Sequence, residues 1–150
     1  MKHLLTLLFS IIINITSFGQ GYFTKYQAIA DSFELIYGIP SSVMLGVAYY
    51  ESGAGKSVAA KYLNNHFGIK GSNNLMNTHK IKSSYKQYCS IDKSFEAFCL
   101  IIRSKPFYSN LKGNDDHTKW VNAISKTNYA SGSKTWASKV ISIINKNKSS

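Results

Sequence analysis

A single carboxylate, that of Glu51, stands out in the sequence because of its isolation. It lies in the stretch AYYESGAGKS, between an apolar run and two glycines, and it is one of only seven acidic residues. The next acid along the chain is Asp92. Apolar neighbours raise the pKa of a buried glutamate, because burial disfavours the charged form. A glutamic acid that stays protonated near neutral pH can donate the proton that glycosidic bond cleavage requires.

The surrounding pattern predicts that Glu51 lies in the last turn of a buried helix. Pro40 and the serines after it are typical of a helix start, and residues 43–50 are almost wholly apolar. A helix that is apolar on most sides lies at the centre of a domain. Gly53 and Gly55 are expected to end it. Glu51 would then lie at the negative end of the helix macrodipole, which also raises the pKa of a carboxyl group.

The rest of the sequence predicts a mostly α fold. Apolar residues recur at helical spacing in several stretches, namely residues 23–38, 90–104, 115–126 and 133–146, and residues 56–65 form a further short helix. Trp120 and Trp136 fall on apolar helix faces and are expected in the core. The alternating stretch YKQYCSI is typical of a strand. We therefore expect a mostly α (α+β) fold, with a helical bundle around a buried central helix and a small β-hairpin lobe beside a cleft.

The N-terminal residues predict an export signal. A short basic start precedes an apolar run over residues 4–15, and Ser17 and Gly19 suit a cleavage site. The run is shorter than the about 20 residues that a membrane span needs. We expect a signal peptide at residues 1–19 and one domain at residues 20–150, exported to the periplasm or outside the cell without a stable membrane anchor. An uncleaved anchor is the alternative.

The charge of the chain favours an anionic partner. Eighteen Lys and Arg residues against seven acids give a formal net charge of +11. The lysines are spread along the sequence, which is also typical of a solvated basic face. Because export removes the chain from the cytoplasm, an anionic cell-wall polymer is a more suitable partner than nucleic acid, and no nucleic-acid partner is expected.

The cysteines and histidines do not form a metal-binding pattern. Cys89 and Cys99 leave two alternatives, a disulfide, which export would permit, or two buried thiols. The sequence has no CxxC or HExxH spacing, and His66, His79 and His117 are scattered. We expect no metal site and no cofactor.

Four stretches, taken together and in order, resemble a known enzyme family. They are YYESGAGKS, NNHFGIKG, YKQYCSIDKSFEAF and NYASGSKTWASKV. They resemble the glucosaminidase domains of glycoside hydrolase family 73, found in autolysins and flagellar rod-cap hydrolases, over roughly residues 25–145. The resemblance implies a lysozyme-like fold and an endo-β-N-acetylglucosaminidase that cleaves peptidoglycan glycan strands after N-acetylglucosamine. A monomer without a cofactor is expected.

The resemblance also implies roles for individual residues. Glu51 matches the glutamate of the family's ESG motif, which is the general acid. Tyr129 matches the tyrosine of the YATD motif, which lies near the scissile sugar, so it is the second residue expected at the catalytic centre. The expected substrate-binding residues are Asn65, Phe67 and Gly68, in the NNxFGIK segment that lines the cleft, together with Tyr85 and Tyr88 in the hairpin.

The sequence departs from the family pattern in two places. YASG replaces YATD, so Gly132 takes the position of an acid, and residues 52–91 contain none of the carboxylates that many members place in the β lobe. Asp92, Asp115 and Asp116 are instead expected at helix starts.

Without a second carboxylate, three interpretations stay open. The acetamido group of the substrate can act as nucleophile, which is a known exception to the paired-carboxylate mechanism. Alternatively, Glu51 can act alone, as the single glutamate of lytic transglycosylases does in a similar fold. The third interpretation is a wall-binding module that has lost catalysis.

Overall fold

The structure is a computed structural model that describes residues 18–127, 129 and 133–148. The predicted signal peptide therefore lies outside the described residues except at its last two positions, and Gly132 lies outside them too. Within these ranges the chain forms eight helices: α1 Phe18–Tyr37, α2 Ser41–Ser52, α3 Val58–Leu63, α4 Leu75–His79, α5 Ile91–Arg103, α6 Tyr108–Leu111, α7 His117–Ser125 and α8 Ser133–Lys148. None of the described helices is long and apolar enough to cross a membrane.

The predicted central helix is confirmed in α2. Its residues Val43–Ala48 are all buried, and it packs against α1 and α8. Gly53 ends it in the left-handed conformation, with φ 56°, and its N–H points back to the carbonyl groups of Tyr49 and Tyr50. Glu51 therefore lies in the last turn of α2, as the glycines predicted.

Close packing of α2 against α8 depends on Gly46. A Cβ atom at this position would overlap the side chain of Ile144 on α8. Without one, the two helices approach closely and bring Trp136 of α8 to the C-terminal end of α2. Trp120 and Trp136 are both buried in the core, as predicted.

Two of the remaining acids begin helices. Asp116 is the N-cap of α7, and its carboxylate accepts hydrogen bonds from the N–H groups of Thr118 and Lys119. Asp92 lies in the first turn of α5, whose N-cap is Ser90. Their positions fit the prediction that these acids belong to helix starts.

The predicted β-hairpin is not confirmed. Two extended segments, residues 68–74 and 81–88, run antiparallel and share a few backbone hydrogen bonds. Lys70 and Tyr85 nevertheless form only an isolated bridge, and no strand is present in the described residues. The amide of Asn73 donates hydrogen bonds to the carbonyl groups of Ser83 and Tyr85, at 3.0 and 2.8 Å. The Asn73 side chain thus occupies backbone carbonyl groups that strand pairing would use. In addition, α4 separates the two segments along the chain.

The cysteines are free thiols, so the disulfide alternative is wrong. Cys99 is buried on α5, and its sulfur lies 3.4 Å from that of Met44. Cys89 is exposed. The alternative of two buried thiols is therefore correct for Cys99 and wrong for Cys89.

Candidate active site

The carboxyl group of Glu51 lines a cavity of about 360 Å³ and is half-buried. Its Oε1 accepts a hydrogen bond of 2.7 Å from the indole N–H of Trp136. Burial raises the pKa of Glu51 above its ordinary value, and the Trp136 hydrogen bond opposes that rise because it stabilises the charged form. The net direction of the pKa shift is upward, as the apolar surroundings predicted, so Glu51 keeps its proton to higher pH than a free glutamate does.

Gly68 brings the backbone against this carboxyl group. It has φ +65°, and a Cβ atom there would lie 3.6 Å from Glu51 Oε2 and 3.7 Å from Tyr85 Cε1. This left-handed conformation suits glycine, which has no Cβ atom. The missing side chain leaves room for a ligand between the acid and the tyrosine ring.

Asn65 supports the wall of the cavity and does not line it. It is buried, and its amide nitrogen donates to the carbonyl groups of Ile69 and Lys86, each at 2.8 Å. Its Oδ1 accepts hydrogen bonds from the N–H groups of Phe67 and Ile69. The side chain therefore bonds to backbone groups of the turn and connects the turn to the second extended segment. The sequence had instead predicted that Asn65 contacts the substrate.

Phe67 and Tyr129 fix the same turn from the core side. The Phe67 ring is buried and stacked on Phe98, with centroids 4.5 Å apart. The hydroxyl of Tyr129 donates to the Phe67 carbonyl group at 3.0 Å. Burial raises the pKa of Tyr129 well above its ordinary value, and the charge of Glu51 raises it further, so the phenol stays neutral beside the acid. Neither ring lines the cavity.

The two hairpin tyrosines have different positions. Tyr85 lines the cavity, and the ammonium group of Lys70 lies 3.7 Å from the centroid of its ring. Tyr88 is buried away from this cavity, and its hydroxyl has no hydrogen-bond partner among the described residues. Of the predicted site residues, the structure brings Glu51, Gly68 and Tyr85 together around the cavity. The others lie outside its lining.

Sequence reasoning missed several residues of the site. Trp136 was expected only in the core, yet it also holds the acid. Its position in the stretch NYASGSKTWASKV was the one available signal. Lys70 belongs to the NNHFGIKG stretch that was expected to line the cleft, but it was not itself expected at the site. Four further cavity residues had no signal in the sequence, because their places depend on how the chain returns from α4: Ile81, Lys82, Ser83 and Ser84.

The cavity offers one carboxylic acid and no second carboxylate to pair with it, among its described residues. Glu51 is the only acid among the described residues that line it. Glycosidases with two catalytic carboxyl groups hold them about 5–5.5 Å apart for retention or about 6.5–9.5 Å apart for inversion. The site therefore fits general acid catalysis by Glu51 alone.

Solved structures share this fold. The catalytic domain of the autolysin Auto from Listeria monocytogenes superposes with a TM-score of 0.68 at 25% identity, covering 92% of this chain and 89% of its own. The peptidoglycan hydrolase from Sphingomonas sp. A1 gives 0.67 at 24% identity, covering 86% and 89%. A truncated glycoside hydrolase domain of Salmonella typhimurium FlgJ gives 0.68 at 18% identity, covering 88% and 99%.

Sequence comparison identifies the family. No curated protein matches the chain. Residues 27–149 match the Glucosaminidase family, described as mannosyl-glycoprotein endo-beta-N-acetylglucosaminidase. This range includes nearly all of the described helices and every residue of the cavity. The chain therefore belongs to the glucosaminidase family and is a glycoside hydrolase with a mostly α, lysozyme-like fold.

Proposed function

We propose that the protein is an exported peptidoglycan hydrolase, an endo-β-N-acetylglucosaminidase that cleaves glycan strands after N-acetylglucosamine. The observation that carries the proposal is the half-buried carboxyl group of Glu51 at the cavity, with its raised pKa. Peptidoglycan as substrate is supported by the family match and by the similarity to an autolysin. Residues 1–19 would act as the signal peptide, and residues 20–150 would work as a monomer in the periplasm or outside the cell.

Glu51 supplies the proton in this mechanism. Its Oε1 is occupied by the Trp136 N–H, so Oε2, which faces Gly68, is the oxygen that carries the proton. Transfer of this proton to the glycosidic oxygen lets the bond to the anomeric carbon break. A positioned general acid contributes about 10²–10⁴-fold to the rate of such a step.

The second step depends on what attacks the anomeric carbon. Because no other acid lines the cavity among the described residues, the substrate's own 2-acetamido oxygen is the nucleophile that fits the site. Ionised Glu51 then accepts a proton from the water that opens the cyclic intermediate. The same observation favours a second candidate, a lytic transglycosylase, in which a hydroxyl group of the sugar closes on the anomeric carbon.

The test is mass spectrometry of purified peptidoglycan after digestion by the mature protein and borohydride reduction. We expect reducible N-acetylglucosamine ends, and a loss of about 10²–10⁴-fold in their release with Glu51→Gln. Glu96→Gln is the matched control, because it makes the same change in the exposed pair that Glu96 forms with Lys93 on α5. Undiminished release by a folded Glu51→Gln protein would contradict the assignment of the acid.

The products also separate the alternatives. Anhydro-muramic ends would identify a lytic transglycosylase. Wall binding without any released fragment, by a protein that is folded, would identify a wall-binding module.

A further inference from the structure

We propose that Lys70 and Lys82 form a subsite for a carboxylate carried by the glycan strand, beside the acid Glu51. The inference rests on the proposed function for the identity of the ligand, since it takes the strand to be peptidoglycan. The chemical group recognised is a carboxylate, supplied either by the lactyl group of the muramic sugar or by its peptide stem.

The charges of the cavity lining carry the proposal. Apart from Glu51, the charged residues among its described lining are Lys70 and Lys82. No acid occurs in residues 52–91, so Glu51 is the one carboxyl group in the described lining, and it faces two lysines. Neither lysine takes part in the ion pairs Lys93–Glu96, on α5, and Lys119–Asp116, at the start of α7. The two lysines are therefore left to attract an anion from outside the chain.

Lys70 is also held in place. Its ammonium group lies 3.7 Å from the centroid of the Tyr85 ring, within cation–π range, and 3.2 Å from Ser84 Oγ. An ammonium group has three donors, so one bond to Ser84 leaves two for a ligand. A long side chain that is already ordered loses less entropy when it binds an anion. A lysine on an open surface lacks this restraint.

The position of Lys70 also limits how a sugar can bind. Because its ammonium group covers one face of the Tyr85 ring, a pyranose ring cannot stack on that face. A strand that passes the edge of this ring beside Glu51 can bring a sugar substituent, and not the pyranose ring itself, to the ammonium group. In peptidoglycan, every second sugar carries an acidic or peptide-bearing substituent, whereas a chitin oligomer carries none.

The test measures binding in the Glu51→Gln protein, which keeps the ligands intact. Three soluble ligands are compared by calorimetry: peptide-free glycan strands, peptide-bearing muramyl fragments, and neutral chitohexaose. For each of Lys70→Gln and Lys82→Gln we expect about two- to five-fold weaker binding of the carboxylate ligands and no change for chitohexaose. The difference should shrink at about 1 M salt, where the screening length is about 3 Å.

Lys61→Gln is the matched control, because Lys61 is exposed on α3 and does not line the cavity. Lys82→Arg should keep the affinity that Lys82→Gln loses. Weaker binding of peptide-free strands would identify the lactyl carboxylate, and weaker binding of peptide-bearing fragments alone would identify the stem. Equal loss with Lys61→Gln, equal loss for chitohexaose, or no loss would overturn the subsite.

The failure of this inference is distinguishable from failure of the proposed function. If the wild-type protein cleaves peptidoglycan and both lysine variants bind the ligands as before, the proposed hydrolase function is supported and the subsite is rejected. If binding of the carboxylate ligands depends on the lysines but the wild-type protein releases no fragments, the subsite is supported and the hydrolase function is rejected.

Discussion

The hydrogen bond from Trp136 to Glu51 lets a residue on α8 adjust the pKa of an acid on α2. Burial raises this pKa, and the indole N–H lowers it by stabilising the ionised carboxylate. The two effects oppose each other, so the pH at which the acid loses its proton depends on both. A buried glutamate without such a donor would keep its proton to higher pH.

Trp136→Phe should therefore shift the pH dependence of catalysis. The substitution keeps an aromatic ring and removes the N–H, so the pKa of Glu51 rises. Since a general acid works in its protonated form, activity falls as pH increases through this pKa, and the alkaline limb should move to higher pH. The measurement is the pH profile of kcat/KM on peptidoglycan.

Trp120→Phe provides the control for this prediction. The Trp120 indole donates to the carbonyl group of Asn114 at 2.7 Å, far along the chain from the site. The two substitutions remove the same kind of bond and comparable buried volume. Identical alkaline limbs in the two variants would show that Trp136 has no electrostatic role.

The setting of Glu51 was predictable because it depends on neighbours in sequence. The apolar run and the two glycines define a helix end, and these are local signals. Trp136 lies 85 positions away, so its role as donor depends on how α8 crosses α2. Asn65 shows the same limit, since its motif indicated a turn in the cleft but not that its amide serves the backbone.

At the level of elements, the contact between α2 and α8 positions both the acid and its donor. Gly46→Ala places a methyl group against Ile144, which must move. We expect a loss of about 1–3 kcal/mol in the free energy of unfolding, because overpacking displaces well-packed groups. The loss should be smaller in an Ile144→Ala background, and a double-mutant cycle by urea unfolding measures the coupling.

Gly21→Ala is the comparison for this cycle. Gly21 lies in α1 with no atom within 4 Å of an added Cβ. Because the mature protein would begin at residue 20, Gly21 lies at the start of α1, and alanine there should change the free energy of unfolding by less than about 0.5 kcal/mol. Additive effects of Gly46→Ala and Ile144→Ala would contradict close packing at this contact.

The helices were more predictable than the segment between α3 and α5. Long amphipathic stretches such as α5 carry a strong periodic signal, and each of them forms. The stretch YKQYCSI alternates like a strand, but its partner segment pairs at one bridge. The amides of Asn65 and Asn73 donate hydrogen bonds to backbone carbonyl groups there. The alternation of apolar and polar residues does not predict such tertiary contacts.

At the scale of the whole molecule, the buried His66 should make the fold sensitive to acid. Its Nδ1 lies 2.6 Å from the Tyr22 hydroxyl, and burial lowers its pKa to about 4. An unfolded histidine has a pKa of about 6.5, so the unfolded chain binds a proton first as pH falls. Stability should decrease between about pH 6.5 and 4, by on the order of 2 kcal/mol.

Thermal unfolding from pH 8 to pH 4 measures this effect. His66→Gln should flatten the curve across that interval, whatever it does to stability at pH 8. His117→Gln is the control, because His117 sits at the start of α7 with its ring bonded to Asn145 at an exposed position. A curve that keeps its slope in His66→Gln would assign the acid sensitivity to other groups.

The cavity wall opposite α2, formed by the two extended segments, is held differently from the helical part of the domain. Its two extended segments are held by a few backbone hydrogen bonds and by asparagine amides, while the helices α1, α2, α5, α7 and α8 contain most of the buried core. Substitutions in this wall therefore remove little buried apolar area. The ligand preference can therefore change through this wall with little loss of stability, while the helices keep the fold. The residues that recognise the ligand are then largely separate from the residues that stabilise the domain.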